Sequence, residues 1–231
     1  MTLQKFDAVL FDCDGVLVDS EPITNGVLRD MLDEAGWQLS AAECMCIFVG
    51  KAVKDEIAAI EAQTGKRIDE AWMVQFRERR DAGLRARLLP IDGALRVVAK
   101  IHAACNGRIA CASGADRAKV ELQLTMCALM PYFDGRIFSG HETPRSKPFP
   151  DVYLAAAKAL GVDAKRCAVV EDSVTGVMAG VAAGATVFGY SPPAVGHSSP
   201  AALLAAGAVQ VFTDMAELPG LLLSFAPPPQ P

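Results

Sequence analysis

The chain has 231 residues, of which 52% are apolar and 21% are charged, and its formal net charge is −5. This length and composition are typical of a soluble globular protein with one or two domains and a sizeable core. The net negative charge gives no electrostatic case for a nucleic-acid partner. Because no apolar run reaches the ~18 residues that cross a membrane, we expect no membrane partner either.

Seven cysteines are distributed without regular spacing, and most of them lie within apolar segments. Such a pattern is typical of reduced thiols in a protein core and not of a disulfide framework. The N-terminal residues lead directly into an apolar strand and contain no segment that resembles a signal peptide. We therefore expect a cytoplasmic protein, with a monomer as the default oligomeric state.

The first predicted element is a short buried strand over residues 8–11, which is followed at once by a cluster of acids. Asp12 and Asp14 come directly after this strand, and the chain then turns at Gly15. Ligands of open α/β sheets bind at the carboxyl ends of the strands. Two carboxylates held close together there repel each other unless a cation lies between them or one is protonated. This strand end therefore predicts a metal site.

A long segment from about residue 22 to residue 89 is helical by pattern and contains no convincing strand. Apolar residues recur at helical spacing in its first helix, which is predicted to end at Gly36. Ser40 is a predicted N-cap, and Glu43 completes a capping box. Further helices are predicted over residues 41–48, 53–63 and 69–88.

After Pro90 the pattern changes to short apolar strands that alternate with helices, such as those over residues 151–160 and 175–183. Five further strands are predicted over residues 109–112, 135–138, 167–170, 186–188 and 209–212. Alternation of this kind is typical of a doubly wound parallel α/β sheet with a Rossmann-like arrangement.

The domain organisation follows from the single helical interruption. We predict a Rossmann-like core built from residues 1–18 and 90–225, with a small all-helical cap domain inserted at residues 19–89. The cap would cover the strand ends that carry the acids. Residues 226–231 are predicted to form an extended Pro-rich tail.

Polar motifs follow several of the predicted strands, where residues distant in the chain can share one site. Asp12 and Asp14 follow the first strand, and their counterparts after later strands are Ser113-Gly114, Lys147 and Glu171-Asp172. Carboxylate oxygens are ligands suited to Mg²⁺, a hard cation. A hydroxyl group and a lysine beside them suit a phosphoryl group, since lysine supplies a positive charge and the hydroxyl a donor.

These motifs resemble those of the haloacid dehalogenase-like (HAD) hydrolases with a small helical cap. DxDG followed by VDSE, then SG, SKPxP and EDS occur in that order and at compatible spacing over nearly the whole chain. The resemblance is strongest to the group that contains sugar-phosphate phosphatases and β-phosphoglucomutase. It implies a HAD-type fold and Mg²⁺-dependent phosphoryl transfer.

The resemblance also implies roles for individual residues. Asp12 would be the nucleophile that forms an aspartyl-phosphate, and Asp14 the general acid that protonates the leaving alcohol and then the base that activates water. The phosphate would be held by Ser113, Gly114, Lys147 and the backbone N–H of Cys13.

Mg²⁺ would be held by a set of oxygens from two strand ends. The resemblance implies direct ligation by Asp172 and Asp12 and by the backbone carbonyl of Asp14. Glu171 would assist, either through water or as a partner of Lys147.

The resemblance implies a small phosphorylated sugar, sugar acid or related metabolite as the substrate, and two features bear on the reaction. Asp14 favours phosphoryl transfer over dehalogenation, because an alkoxide leaving group needs a proton. Thr24 stands where mutase-type members usually carry a histidine, which favours a phosphatase over the alternative, a β-phosphoglucomutase-like mutase. Substrate choice is expected from the loop over residues 48–54, in which Gly50 precedes Lys51, the lysine we favour over Lys54.

Other polar residues receive structural interpretations. Asp116 is interpreted as a helix N-cap, and the Cys13 side chain is expected to point into the core, away from the site. The three histidines are given structural or surface roles because none lies near a second metal-type ligand in the sequence; they are His102, His141 and His197.

Overall fold

A computed structural model describes residues 5–193 and 197–225 of the chain. The predicted Pro-rich tail at residues 226–231 lies outside the described residues. Six strands form one sheet in the order β3-β2-β1-β4-β5-β6, and every neighbouring pair is parallel. The strands are β1 (Ala8–Phe11), β2 (Ile109–Ser113), β3 (Ile137–Ser139), β4 (Cys167–Glu171), β5 (Thr186–Tyr190) and β6 (Gln210–Phe212). The predicted doubly wound parallel sheet is thus confirmed.

Helices connect the strands and cover both faces of the sheet. They are α1 (Glu21–Glu34), α2 (Ala41–Phe48), α3 (Ile57–Thr64), α4 (Glu70–Arg87), α5 (Ala94–Ala104), α6 (Arg117–Met126), α7 (Met130–Phe133), α8 (Asp151–Ala159), α9 (Val174–Ala182), α10 (Pro200–Ala205) and α11 (Leu218–Ser224). No helix of the described ranges is long and apolar enough to cross a membrane.

The strands are buried on both faces, as expected of a parallel sheet between two helical layers. In β1 the side chains alternate between two apolar clusters: Val9 and Phe11 belong to one, and Ala8 and Leu10 to the other. Several strands continue past their apolar residues into a polar one, because the backbone still pairs with the neighbouring strand there. Ser113 of β2, for example, pairs with Ser139 of β3.

All four helices α1–α4 lie between β1 and β2 in the chain, and the predicted capping box of Ser40 and Glu43 begins α2. These helices have an apolar cluster of their own, which includes Leu28, Phe48 and Phe76. The helix predicted over residues 53–63 is interrupted: a 3-10 turn is followed by α3, because the backbone leaves helical geometry at Glu56 (φ −102°, ψ 4°).

The strand order places the acids of the first strand at the centre of the sheet. β1 lies between β2 and β4, and the chain winds outward to opposite edges from this point. The crevice at such a reversal of strand order is the usual ligand site of an open α/β sheet. Asp12 is the residue that follows β1, and its N–H donates to the carbonyl of Val170 in β4 at 3.0 Å.

Candidate active site

Lys147 joins the first strand end to the fourth. Its Nζ lies 2.7 Å from Oδ1 of Asp12 and 2.6 Å from Oε1 of Glu171, and it donates to the carbonyl of Ala112 at 3.0 Å. The lysine comes from the loop after β3, 135 residues from Asp12 in the chain. These three contacts fix the ammonium group at the strand ends although it is almost fully buried.

Glu171 ends β4 and is fully buried. Its Oε1 accepts hydrogen bonds from Lys147 and, at 2.6 Å, from the hydroxyl of Tyr153. Its Oε2 accepts from the backbone N–H groups of Asp172 and Ser173. Of the two roles that the resemblance leaves open for Glu171, the geometry favours that of a partner of Lys147.

A triad of buried acids has the composition of a cation site. Asp12, Glu171 and Asp172 each offer a carboxylate oxygen, and these oxygens lie within 4.8 Å of one another. Burial, and next to it the Glu171 carboxylate, raises the pKa of Asp172; burial also raises that of Asp12, against the attraction of Lys147. One ammonium group thus faces three acids, and an additional cation would relieve their repulsion.

Gly15 makes room for this triad. Its φ of +75° lies in the left-handed region, and a Cβ atom at this position would collide with the carboxylate of Asp172. The turn after Asp14 can therefore pass this close to Asp172 only because residue 15 lacks a side chain.

Asp14 is held through one of its two carboxylate oxygens. Its Oδ1 accepts hydrogen bonds from Lys119 Nζ at 2.8 Å, from Gln123 Nε2 at 2.7 Å and from the hydroxyl of Ser20. Burial alone would raise the pKa of Asp14, but Lys119 and the other donors outweigh it and lower the pKa. Burial and then the Asp14 charge raise the pKa of the adjacent Glu21 to about 8.

The predicted phosphate-binding residues surround the same strand ends. Ser113 ends β2 and is buried, and both Ser113 and Gly114 line the cleft. The side chain of Cys13 points away into the core, as expected, where its thiol donates to Gln123 Oε1 at 3.4 Å. Its backbone N–H has no acceptor within residues 5–193 and 197–225, so it is available to a ligand.

A cleft of roughly 620 Å³ lies between these strand ends and the helical segment. Gly50, Lys51 and Lys54 line it from the loop after α2. Lys51 forms an ion pair with Glu56 at 3.3 Å, and a Cβ atom on Gly50 would lie 3.4 Å from Ser173. The loop over residues 48–54, which is predicted to select the substrate, therefore faces the predicted catalytic residues across the cleft.

Several residues at this site carry no sequence motif. Lys119 and Gln123 contact Asp14 from α6. The one sequence feature that could have identified them is their spacing: they are polar residues at positions i and i+4 of the first helix after Ser113, and so lie on the same helix face. Two of the three histidines that were interpreted as structural or surface residues lie near these acids. His197 Nδ1 lies 3.1 Å from Asp172 Oδ2 without a hydrogen-bonding angle, and His141 lines the cleft. Both come from loops whose return to the site has no local pattern.

Asp116 has a role beyond the predicted N-cap. Its Oδ1 accepts from the backbone N–H of Lys119 at 2.9 Å, which caps α6. Its Oδ2 accepts from Arg80 of α4, also at 2.9 Å, and Arg80 is buried. One side chain therefore ties the helical segment to the helix that holds Asp14.

The relatives, the solved structures and the family model that match this chain all point to the same family. A curated relative, 6-phosphogluconate phosphatase of Escherichia coli (strain K12), is 30% identical over 224 residues, which cover 95% of this chain and 96% of the relative. A crystal structure of a HAD family hydrolase from Deinococcus radiodurans R1, with bound phosphate and sodium, is 35% identical with a TM-score of 0.75 and covers 96% of this chain and 99% of that chain.

A second crystal structure, of a haloacid dehalogenase-like protein from Agrobacterium tumefaciens str. C58, is 32% identical with a TM-score of 0.79 and covers 94% of this chain and 97% of that chain. The sequence model of the haloacid dehalogenase-like hydrolases matches residues 6–184. This match spans β1, the helical segment and the strand ends that carry the acids. The resemblance inferred from the motifs is thereby confirmed, and the chain belongs to the haloacid dehalogenase-like hydrolase family.

Proposed function

We propose that the chain is a Mg²⁺-dependent phosphatase that hydrolyses phosphate monoesters through an aspartyl-phosphate on Asp12. The observation that carries this proposal is the arrangement at the end of β1. A buried carboxylate is held there by an ammonium group, with a second carboxylate, Asp14, two residues away. Lys147 engages Oδ1 of Asp12, which fixes the side chain and leaves its other oxygen for attack.

The reaction divides into two displacements at phosphorus. In the first, an Asp12 oxygen forms a bond to phosphorus as the bond to the substrate oxygen breaks, and Asp14 gives its proton to that oxygen. In the second, Asp14 removes a proton from water as the water oxygen bonds to phosphorus and the Asp12–phosphorus bond breaks. The products are the alcohol and inorganic phosphate, and both aspartates return to their initial states.

Positive and donor groups converge on the phosphoryl group in this scheme. Lys147, the Ser113 hydroxyl and the N–H of Cys13 would bind its oxygens and keep them in line for attack. In-line positioning and charge stabilisation supply most of the rate enhancement in phosphoryl transfer.

The donor set fits Mg²⁺. Asp12, Asp172 and the backbone carbonyl of Asp14 would hold the ion, while Glu171 supports the set through Lys147. Bound Mg²⁺ would neutralise charge on the phosphoryl oxygens. Hard oxygen donors and the repulsion among the buried acids both support this assignment.

The helical segment, residues 19–89, is proposed to act as a cap that closes over the substrate. The relative named 6-phosphogluconate phosphatase matches nearly the full length of the chain, which supports a phosphorylated sugar acid or a related small metabolite as substrate. Lys51 and Lys54 on the cleft wall would suit an anionic or hydroxyl-rich far end. Thr24, which stands where mutase-type members usually carry a histidine, supports hydrolysis over mutase chemistry.

A phosphate-release screen across phosphorylated metabolites, with p-nitrophenyl phosphate as a general probe, tests the proposal. Release should require Mg²⁺, stop in EDTA and resume when Mg²⁺ is restored. Asp12→Asn should abolish release while the protein stays folded. Release that persists in EDTA or in the Asp12→Asn variant would contradict the mechanism.

A further inference from the structure

Two buried side chains of α6 converge on the proposed acid/base. Lys119 and Gln123 are one helical turn apart, and both donate to Oδ1 of Asp14. The Lys119 side chain is 8% exposed and Gln123 is fully buried. A buried lysine is costly unless its charge is paired, and here the paired group is Asp14.

The contacts on Asp14 are asymmetric. Oδ1 accepts from Lys119, Gln123 and Ser20, whereas Oδ2 receives no hydrogen bond from any residue that the structure describes. In the protonated carboxyl group, the oxygen that accepts these three hydrogen bonds is the carbonyl oxygen, so the proton lies on the other oxygen, Oδ2. The asymmetry therefore leaves Oδ2 for the proton that passes to or from a ligand.

The donors are themselves held in place. Gln123 Oε1 accepts the thiol hydrogen bond of Cys13, so its Nε2 is left to face Asp14. The amino end of α6 is fixed by Asp116, which caps the helix and also binds Arg80 of the helical segment. The orientation of Asp14 therefore depends on a supported helix and not on its own loop alone.

We propose that Lys119 and Gln123 are positioning residues that hold Oδ1 of Asp14 so that Oδ2 delivers the proton to the leaving oxygen. This inference rests on the proposed function, because it assigns a task only if Asp14 is the acid. As the bond between phosphorus and the leaving oxygen breaks, the proton moves from Oδ2 to that oxygen. Lys119 and Gln123 keep their own protons throughout.

The effect of each substitution on the rate of enzyme phosphorylation should depend on the leaving group if the residue positions Asp14, and should not depend on it if the residue has only a structural role. An alkoxide leaves poorly without a proton, whereas p-nitrophenolate leaves well without one. The test measures single-turnover phosphorylation of the enzyme by two esters. One is p-nitrophenyl phosphate; the other is the alkyl monoester that the wild-type enzyme hydrolyses fastest in the screen, with 6-phosphogluconate as the first probe.

The variants are Lys119→Met and Gln123→Leu, with Lys119→Arg as the conservative replacement. Each neutral variant should slow phosphorylation by the alkyl ester about 10- to 100-fold, a part of the ~10²–10⁴ that general acid catalysis contributes. Phosphorylation by p-nitrophenyl phosphate should change less than about threefold. Lys119→Arg should restore much of the alkyl rate.

Arg117→Met is the matched control, since Arg117 begins the same helix but its charge pairs with Glu142 outside the cleft. It should leave both rates unchanged. Equal loss with the two esters, or no loss with either, would overturn the inference. If Lys119→Met does not fold, as judged by circular dichroism, Gln123→Leu provides the test, by the same comparison of the losses in rate with the two esters. Failure of the proposed function would be recognised separately, by wild-type hydrolysis that does not depend on Asp12.

Discussion

Replacing Asp172 with Asn should stabilise the protein in the absence of divalent metal and remove its response to Mg²⁺. Asp172 is buried beside Asp12 and Glu171, and only one ammonium group, that of Lys147, offsets the three acids within the described ranges. Asn is nearly the same size, carries no charge and can donate a hydrogen bond to a neighbouring carboxylate. Function and stability are opposed at this position.

The magnitude follows from the spacing of the acids. Two unit charges separated by the 4.8 Å limit of the triad repel each other by about 3.5 kcal/mol at an effective dielectric constant of about 20. The attraction of Lys147 cancels part of this repulsion. We therefore expect Asp172→Asn to raise the free energy of unfolding by about 2 kcal/mol, which corresponds to roughly 4–8 °C in Tm for a chain of this length.

The stabilisation should depend on pH in a defined direction. Burial and the Glu171 carboxylate raise the pKa of Asp172 above its usual value of 3.8 in the folded protein, so the folded state binds more protons than the unfolded state. Stability is therefore lost as pH rises from 3.8 through the raised folded pKa. The advantage of Asp172→Asn should be absent below that window and complete above it.

Thermal unfolding of wild type and Asp172→Asn is measured in EDTA and in Mg²⁺ over a range of pH. It reports the stability without metal, the response to Mg²⁺ and the pH dependence of the stabilisation. Asp92→Asn is the matched control, because Asp92 is exposed and the same change there should alter stability by less than about 0.5 kcal/mol. A lower Tm for Asp172→Asn in EDTA, or an undiminished upward shift of its Tm on addition of Mg²⁺, would refute the electrostatic argument.

Three further substitutions test separate parts of the account. Lys147→Met removes the only cation that contacts Asp12 and Glu171 among the described residues, so it should cost about 3–5 kcal/mol of stability, measured by urea unfolding, and abolish phosphate release; retained turnover would exclude Lys147 from the site. Gly15→Ala places a methyl group against Asp172 in left-handed backbone, so calorimetric titration should find weaker Mg²⁺ binding and unfolding a loss of about 1–3 kcal/mol; unchanged Mg²⁺ affinity would argue against that turn as part of the metal site. Ser40→Ala breaks the capping box of α2 and should cost about 1 kcal/mol with kcat unaltered; a large change in kcat would mean that α2 bears on the chemistry.

The sheet and the strand-end acids could be predicted because each is encoded locally. β1 is a continuous apolar run that is followed by two acids; Asp172 directly follows β4, and Lys147 lies in a short motif in the loop after β3. Parallel pairing then brings them together whatever the connecting helices do. Strand lengths were less predictable: β3 begins at Ile137, because Gly135 has a φ of +69° and lies outside the strand.

The supports of the site could not be predicted in the same way. Lys119 contacts Asp14 from 105 residues away, and a lysine in the first turn of an amphipathic helix is indistinguishable in sequence from a solvated one. His197 reaches Asp172 from a loop with no periodic pattern. The break between the 3-10 turn and α3 arises from a backbone angle at Glu56, while the apolar spacing of Val53, Ile57 and Ile60 continues across it.

The most direct test of the central claim is to trap the phosphoryl group on Asp12. The Asp14→Asn variant lacks the base that activates water, but it can still be phosphorylated by p-nitrophenyl phosphate, whose leaving group needs no proton. Mass spectrometry of the acid-quenched, digested protein should find one phosphoryl group on the peptide that contains Asp12, and none after the further change Asp12→Asn. An unmodified Asp12 peptide during turnover, or a phosphoryl group on another residue, would contradict the account.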